Sequence, residues 1–284
     1  MANENLPVKK EASFKALLKD ETIKNRFYEV LDKKAAGFMS ALLNIYNSNK
    51  QLQECDAWSI LGAAGFAATL NLSITPSLGQ AYVVPYRAKD GSYQATFQIG
   101  AKGLIQMAHR TGKYAAIHAG AVREGEIRGF NPITGEPITG DKISDEIVGY
   151  VAYMRLINGF EKTLYMTISE IEAHAQRHSK AYAYDKRNKK ESSLWSTDFD
   201  IMATKTVLKK LLRSWGVLSA DMTNALQGDQ SVVDKNSFTY VDRGGDVQFR
   251  NEIYSPDDST TINVESGEII QQETKSGENQ NDQR

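Results

Sequence analysis

The sequence predicts an α+β fold, and three observations carry that expectation. Helical periodicity crowds the first quarter of the chain, extended runs separated by turn residues fill the middle, and apolar periodicity fades beyond Gly228. A chain of 284 residues can bury one large core or two smaller ones. The expected layout is an N-terminal helical region over residues 1–50, a core over 51–228 and an acidic flexible tail over 229–284. The core combines a central antiparallel sheet, built from hairpins with packed helices, and a long basic amphipathic helix.

The elements follow in order. Residues 13–72 read as three or four helices, because Phe27, Val30 and Leu31, then Phe38, Leu42, Leu43 and Tyr46, then Trp58, Leu61, Ala64, Ala68 and Leu72 recur at helical spacing. Asp20 and Asp56 are placed to cap helix N-termini. Pro76 ends the helical stretch. Gln80–Tyr86 and Ser92–Ile99 then flank Lys89-Asp90-Gly91, a hairpin turn. Gly100 to Arg110 returns to helix, with Gly112 as its C-terminal stop. Tyr114 to Ile168 is mostly extended, and Asn158-Gly159 marks a second hairpin. Ser169 and Glu172 have the spacing of a capping box for a helix running to about Ser179. A basic loop and a long helix from Trp195 to Trp215 complete the core. Beyond Gly228 the Gly, Ser, Asn, Gln and Asp content predicts disorder.

Composition narrows the function classes. No run approaches the roughly 18 apolar residues of a membrane span, and the N-terminus lacks the apolar stretch of a signal peptide, so a cytoplasmic protein with no membrane contact is expected. Cys55 is the only cysteine, which leaves no intrachain disulfide and no zinc ribbon. The formal charge of −1 averages two unlike segments. Residues 229–284 hold twelve acidic and five basic residues, net −7, while residues 1–228 hold 23 acidic and 29 basic, net +6. A basic body with an acidic tail suits nucleic-acid contact, or equally a solvated surface with a solubilising appendage.

The long helix is the most informative segment. A helical projection puts Ile201, Thr204, Leu208, Leu211, Leu212 and Trp215 on a packing arc and Lys205, Lys209, Lys210 and Arg213 on a cationic one. Between Lys186 and Arg213 lie eight basic and three acidic residues, with Tyr182, Tyr184 and Trp195 in or just before that stretch. Phosphates need cations and unpaired bases need aromatic faces, so this mixture suits single strands. Candidate contacts here are Tyr182, Tyr184, Lys186, Arg187, Lys189, Lys190, Trp195, Lys205, Lys209 and Arg213. A second basic group includes Arg87, Lys89, Lys102, His109, Arg110, Lys113, Arg123 and Arg128, from which Lys102, Arg110, Lys113, Arg123 and Arg128 are the candidates. Gly100-Ala101-Lys102-Gly103 opens a helix, where free N–H groups favour a phosphate; an ordinary strand-to-helix corner has the same appearance. The two basic segments are expected to converge on one groove that grips phosphates and leaves base edges free.

Enzyme chemistry finds weaker support. There is no Gly-x-x-x-x-Gly-Lys-Ser/Thr run, so neither ATP nor another cofactor is expected. His174 and His178 have the spacing of a zinc pair, but Ala175 stands where a metalloprotease carries its glutamate, and a solvated helix face is the simpler account. Asp141, Asp145 and Glu146, or alternatively Asp198 and Asp200, leave open a metal-dependent nuclease, although acidic residues are expected beside turns and helix starts, and an oligomeric structural protein is a further alternative. Cys55 beside Asp56 reads as a small buried residue.

Several segments between Leu52 and Asp221 together resemble the RecT family of phage and prophage single-strand annealing proteins. They are Ser59-Ile60-Leu61-Gly62-Ala63-Ala64 leading into Leu70-Asn71-Leu72, then Gly79-Gln80-Ala81-Tyr82-Val83-Val84-Pro85-Tyr86. Phe97-Gln98-Ile99-Gly100-Ala101-Lys102-Gly103-Leu104-Ile105 and Arg110-Thr111-Gly112 follow, and later Gly159-Phe160-Glu161-Lys162 and the pattern Trp195, Asp198-Phe199, Met202, Lys205-Thr206. Ala101 departs from the aromatic residue of the family. The resemblance implies an ATP-independent protein without a covalent catalytic site that coats single-stranded DNA, pairs it with its complement and holds the annealed duplex in phage-type recombination. It also implies a homo-oligomeric ring or filament, a phage exonuclease partner and contact with the single-stranded-DNA-binding protein of a bacterial host.

Overall fold

The computed structural model describes residues 13–88, 90–234, 237–240, 246–248, 260–262 and 269–271. Its fold is α+β, with N-terminal helices and antiparallel sheets. The helices α1 (Phe14–Leu17), α2 (Glu21–Leu31), α3 (Ala35–Ser48), α4 (Lys50–Gln53) and α5 (Ala57–Thr69) come first. Asp20 accepts from the backbone N–H groups of Thr22 and Ile23, and Asp56 from that of Ser59, so both expected caps form. α5 is buried on every side from Ser59 to Ala68, since it lies between α1 and α2 and a sheet. A β-carbon on Gly62 would stand 2.2 Å from the Val233 carbonyl oxygen, so only glycine lets the sheet come this close.

That sheet runs in the order β1 (Ala81–Arg87), β2 (Tyr93–Ile99), β8 (Ser231–Asp234), β9 (Ser237–Tyr240), β10 (Asp246–Gln248). The β1–β2 hairpin is in register from Ala81 with Ile99 to Arg87 with Tyr93. Its turn residue Lys89 lies outside the described residues. The Phe66 ring of α5 meets the Phe97 ring of β2 edge-on at 4.8 Å. After β2 the chain enters α6 (Ala101–Arg110), with Gly112 at φ 65° just past its end.

A second sheet pairs β3 (Tyr114–Arg123), β6 (Ile147–Leu156) and β7 (Glu161–Thr167), while β4 (Ile127–Phe130) and β5 (Pro137–Thr139) make a small hairpin. The β6–β7 turn holds Gly159 at φ 86°. Helices α7 (Ile168–His178), α8 (Lys180–Asn188), α9 (Leu194–Thr197), α10 (Phe199–Trp215) and α11 (Ala220–Gly228) follow. α10 packs on β3, β6 and β7 and against α6, and α11 packs on α6 and β2, so α6 and α10 join the two sheets into one core. A last pair, β11 (Thr260–Ile262) and β12 (Ile269–Gln271), is also antiparallel.

Four sequence expectations change. The capping box is Thr167 with Glu170, because β7 ends its pairing at Thr167 and the helix starts there. The expected long helix breaks at Asp198 (φ −136°, ψ 50°), which separates α9 from α10. Lys186 and Arg187 sit on α8 and not in a loop. Finally, Asp229 and Ser231–Val233 are buried in the core, so the boundary does not fall at Gly228; most of residues 229–284 lies outside the described residues. Among the described residues no helix is long and apolar enough to cross a membrane.

Candidate nucleic-acid interface

α7, α10 and α11 enclose a groove of about 720 Å³. α7 contributes His174, Arg177 and His178; α10 contributes Lys205, Lys209, Lys210 and Arg213; α11 contributes Thr223, Leu226 and Gln227, and Asp229 closes the floor. His174, Arg177 and His178 recur at helical spacing along one flank of α7, beside the buried stripe of Ile171 and Ala175, and that flank lines the groove.

The floor is an ion triad. Lys205 Nζ lies 3.0 Å from Asp229 Oδ1 and Lys209 Nζ 2.5 Å from Asp229 Oδ2, while Asp229 Oδ1 also accepts the backbone N–H of Ile99. Burial opposes the charge on Asp229, but the two ammonium groups outweigh it and hold the carboxyl below its usual range. Burial likewise pushes the Lys205 ammonium below its usual value, with Asp229 pulling the other way. At the rim, Arg177, Lys210 and Arg213 are exposed and form no ion pair among the described residues. The His174 and His178 rings lie with centroids 4.4 Å apart and their planes tilted by 46°. Burial is the main cause that lowers the His174 pKa from 6.5 to about 4, and His178, Lys210, Lys209 and Arg177 push in the same direction.

The structure gathers Trp195, Lys205, Lys209 and Arg213 at this groove but not the rest of the expected set. Lys205 is a correction: at 7 % exposure it is a buried partner of Asp229 and not part of an open cationic face. α10 is a central helix, buried at Met202, Ala203, Thr206 and Val207 as well as on the expected arc, whereas Ile201 and Trp215, expected to pack, are exposed. Tyr182 and Trp195 are also corrections as stacking faces, since both are buried, and Trp195 packs edge-on against Phe199. Tyr184 is exposed, with Lys190 Nζ 5.3 Å from its ring.

Convergence of the two basic segments on one groove is not observed. Arg110 donates to the carbonyls of Leu70 and Asn71 and closes the C-terminal end of α5. Lys102 lies along Gly79, and β-carbons on Gly100 and Gly103 would stand 2.0 and 2.1 Å from the carbonyl oxygens of Gly79 and Gln80. The Gly100 N–H donates to Gln80. Those glycines therefore serve a tight strand-to-helix corner. Lys113 is exposed beside the β6–β7 turn. Arg123 and Arg128 face Asp145 at 3.4 Å and Asp141 at 4.0 Å. On α8, Lys186 lies 3.4 Å from Glu172 and 5.3 Å from the Tyr182 ring, Arg187 is exposed, and Lys189 ends the helix at φ 52°.

The remaining reactive groups are engaged elsewhere. Asp200 accepts from the Tyr150 hydroxyl, and Asp145 also binds Lys142. Among the described residues no group of three or more His, Cys, Asp or Glu side chains is placed to hold a metal ion. Burial pushes the Cys55 thiol up to about 12. Sequence reasoning missed His174, Arg177 and His178 as groove residues and Asp229 as its floor; only the helical spacing of the first three signalled a shared face.

Residues 36–242 match the model of the RecT family, a span that contains every residue lining the groove. The chain is 43 % identical over 225 residues to the uncharacterized protein YqaK of Bacillus subtilis (strain 168), covering 78 % of this chain and 74 % of that one. It is 28 % identical over 185 residues to Protein RecT of Escherichia coli (strain K12), covering 63 % of this chain and 65 % of the relative. The chain belongs to the RecT family.

Proposed function

We propose that this protein binds single-stranded DNA in the α7–α10–α11 groove and promotes annealing of complementary strands without consuming ATP. The carrying observation is the rim of Arg177, Lys210 and Arg213 over a buried ion triad, in a chain of the RecT family. Cations that no carboxylate among the described residues pairs with favour a phosphate track, and a grip on phosphates leaves base edges free to pair. Stacking of the new duplex supplies roughly 1.4 kcal/mol per step, so the reaction needs no fuel, only a lower search barrier. His174, whose pKa is lowered to about 4 chiefly by burial, stays neutral at neutral pH and lines the track without adding charge. Self-assembly along the strand, an exonuclease partner and a host single-strand-binding protein belong to the same reading.

The test is strand annealing by purified protein in chelator and without nucleotide, followed by fluorescence of two labelled complementary oligonucleotides. Faster pairing than the spontaneous rate is expected. Cleavage of either strand on adding a divalent metal, with no acceleration of pairing, would instead favour a nuclease.

A further inference from the structure

At one corner of the molecule the start of β3, the β6–β7 turn and the exit of α10 meet. The Ile157 N–H donates to the Lys113 carbonyl at 3.0 Å, and the Tyr114 hydroxyl donates to the Val217 carbonyl at 3.1 Å. The corner displays Ile157 at 65 %, Phe160 at 43 % and Trp215 at 41 % exposure. Two lysines accompany them. Lys113 is exposed, and Lys162 Nζ, donating to the Thr134 carbonyl at 3.3 Å, stands 5.6 Å from the centre of the Trp215 ring. The nearby carboxylate of Glu161 accepts from the Tyr153 hydroxyl at 2.7 Å.

We propose that this corner is a stacking platform for unpaired bases of the strand whose phosphates occupy the groove; the inference rests on the DNA-binding reading of that groove. Arg213, a groove residue, precedes Trp215 by two positions on α10. At roughly 100° per residue the two side chains leave opposite flanks of the helix. A strand that exits past Arg213 therefore rounds the end of α10 and arrives at Trp215. Exposed aromatic rings with lysines beside them match unpaired nucleotides, base on ring and phosphate on ammonium. A protein interface of the same apolar content would be depleted in lysine. Stacking uses the face of a base and leaves its pairing edge free, so the platform is compatible with annealing.

The experiment compares two oligonucleotides of equal length, one of thymidine and one abasic with the same sugar-phosphate chain. Each is titrated against the full chain, Trp215→Ala, Trp215→Phe and Lys210→Ala/Arg213→Ala. The wild type is expected to prefer thymidine by about tenfold, the loss of roughly one stacked base. Trp215→Ala should erase the preference without weakening abasic binding, Trp215→Phe should keep most of it, and the groove double variant should weaken both ligands alike. A preference that survives Trp215→Ala, or none in the wild type, overturns the proposal. So does a changed molar mass of Trp215→Ala in light scattering with the preference intact, which would assign the corner to a second copy of the chain. Failure of the wild type to bind either oligonucleotide would overturn the groove reading itself, and this inference with it.

Discussion

Lys205 and Lys209 stand one turn apart on α10 and share a single carboxylate, so their charges cannot be judged singly. Removing Asp229 leaves the buried ammonium of Lys205 and the half-buried one of Lys209 without their carboxylate, and Asp229→Ala should lower the unfolding free energy by about 3–5 kcal/mol in urea titration. Replacing Lys205 and Asp229 together with apolar residues should recover much of that loss. His174 gives a pH dependence whose sign is fixed. Its pKa falls from 6.5 to about 4 on folding, chiefly through burial and then through His178 and the cations around it. Between those values the unfolded chain binds a proton that the folded chain refuses. Stability is therefore flat above pH 6.5, falls as pH drops toward 4 and levels off below it. Melting temperatures across this range check the slope, and His174→Gln should reduce it. Lys205 was partly legible in the sequence: at about 100° per residue it lies only some 20° beyond Leu212, at the margin of the packing arc. Asp229 was not legible, because its partners lie across the fold and its neighbours in sequence read as tail.

The helices and hairpins of the chain were largely written in local chemistry. Asp20, Asp56 and Gly112 cap where expected, because caps depend on neighbours within one turn. Two overlapping cap patterns, Thr167 with Glu170 and Ser169 with Glu172, both fit by spacing, and only the strand pairing of β7 up to Thr167 decides between them. Thr167→Ala should accordingly cost about 1 kcal/mol in urea titration while Ser169→Ala costs little. α10 misled for another reason. Period alone cannot reveal a helix covered on several sides, and α6, α9 and the second sheet together cover most of this one.

For the molecule as a whole, the charge contrast between residues 1–228 and 229–284 is real, but the boundary between body and tail is set by packing. Asp229 fills the floor of the groove and β8 pairs with β2, so a chain ended after Gly228 should lose its cooperative melt, whereas one ended after Gln248 should keep it; circular dichroism distinguishes the two. The groove could not be read from the sequence because its lining comes from four helices and the segments around them, spread over residues 174–230. The most direct test of the groove is the salt dependence of oligonucleotide affinity, measured by fluorescence anisotropy for the wild type and for Arg177→Ala/Lys210→Ala/Arg213→Ala. Each phosphate contact on a single strand contributes a slope of about 0.7, so loss of the three cations should flatten the logarithmic plot by about 2 and weaken binding at low salt. Equal affinities and parallel slopes for the two proteins would contradict the account.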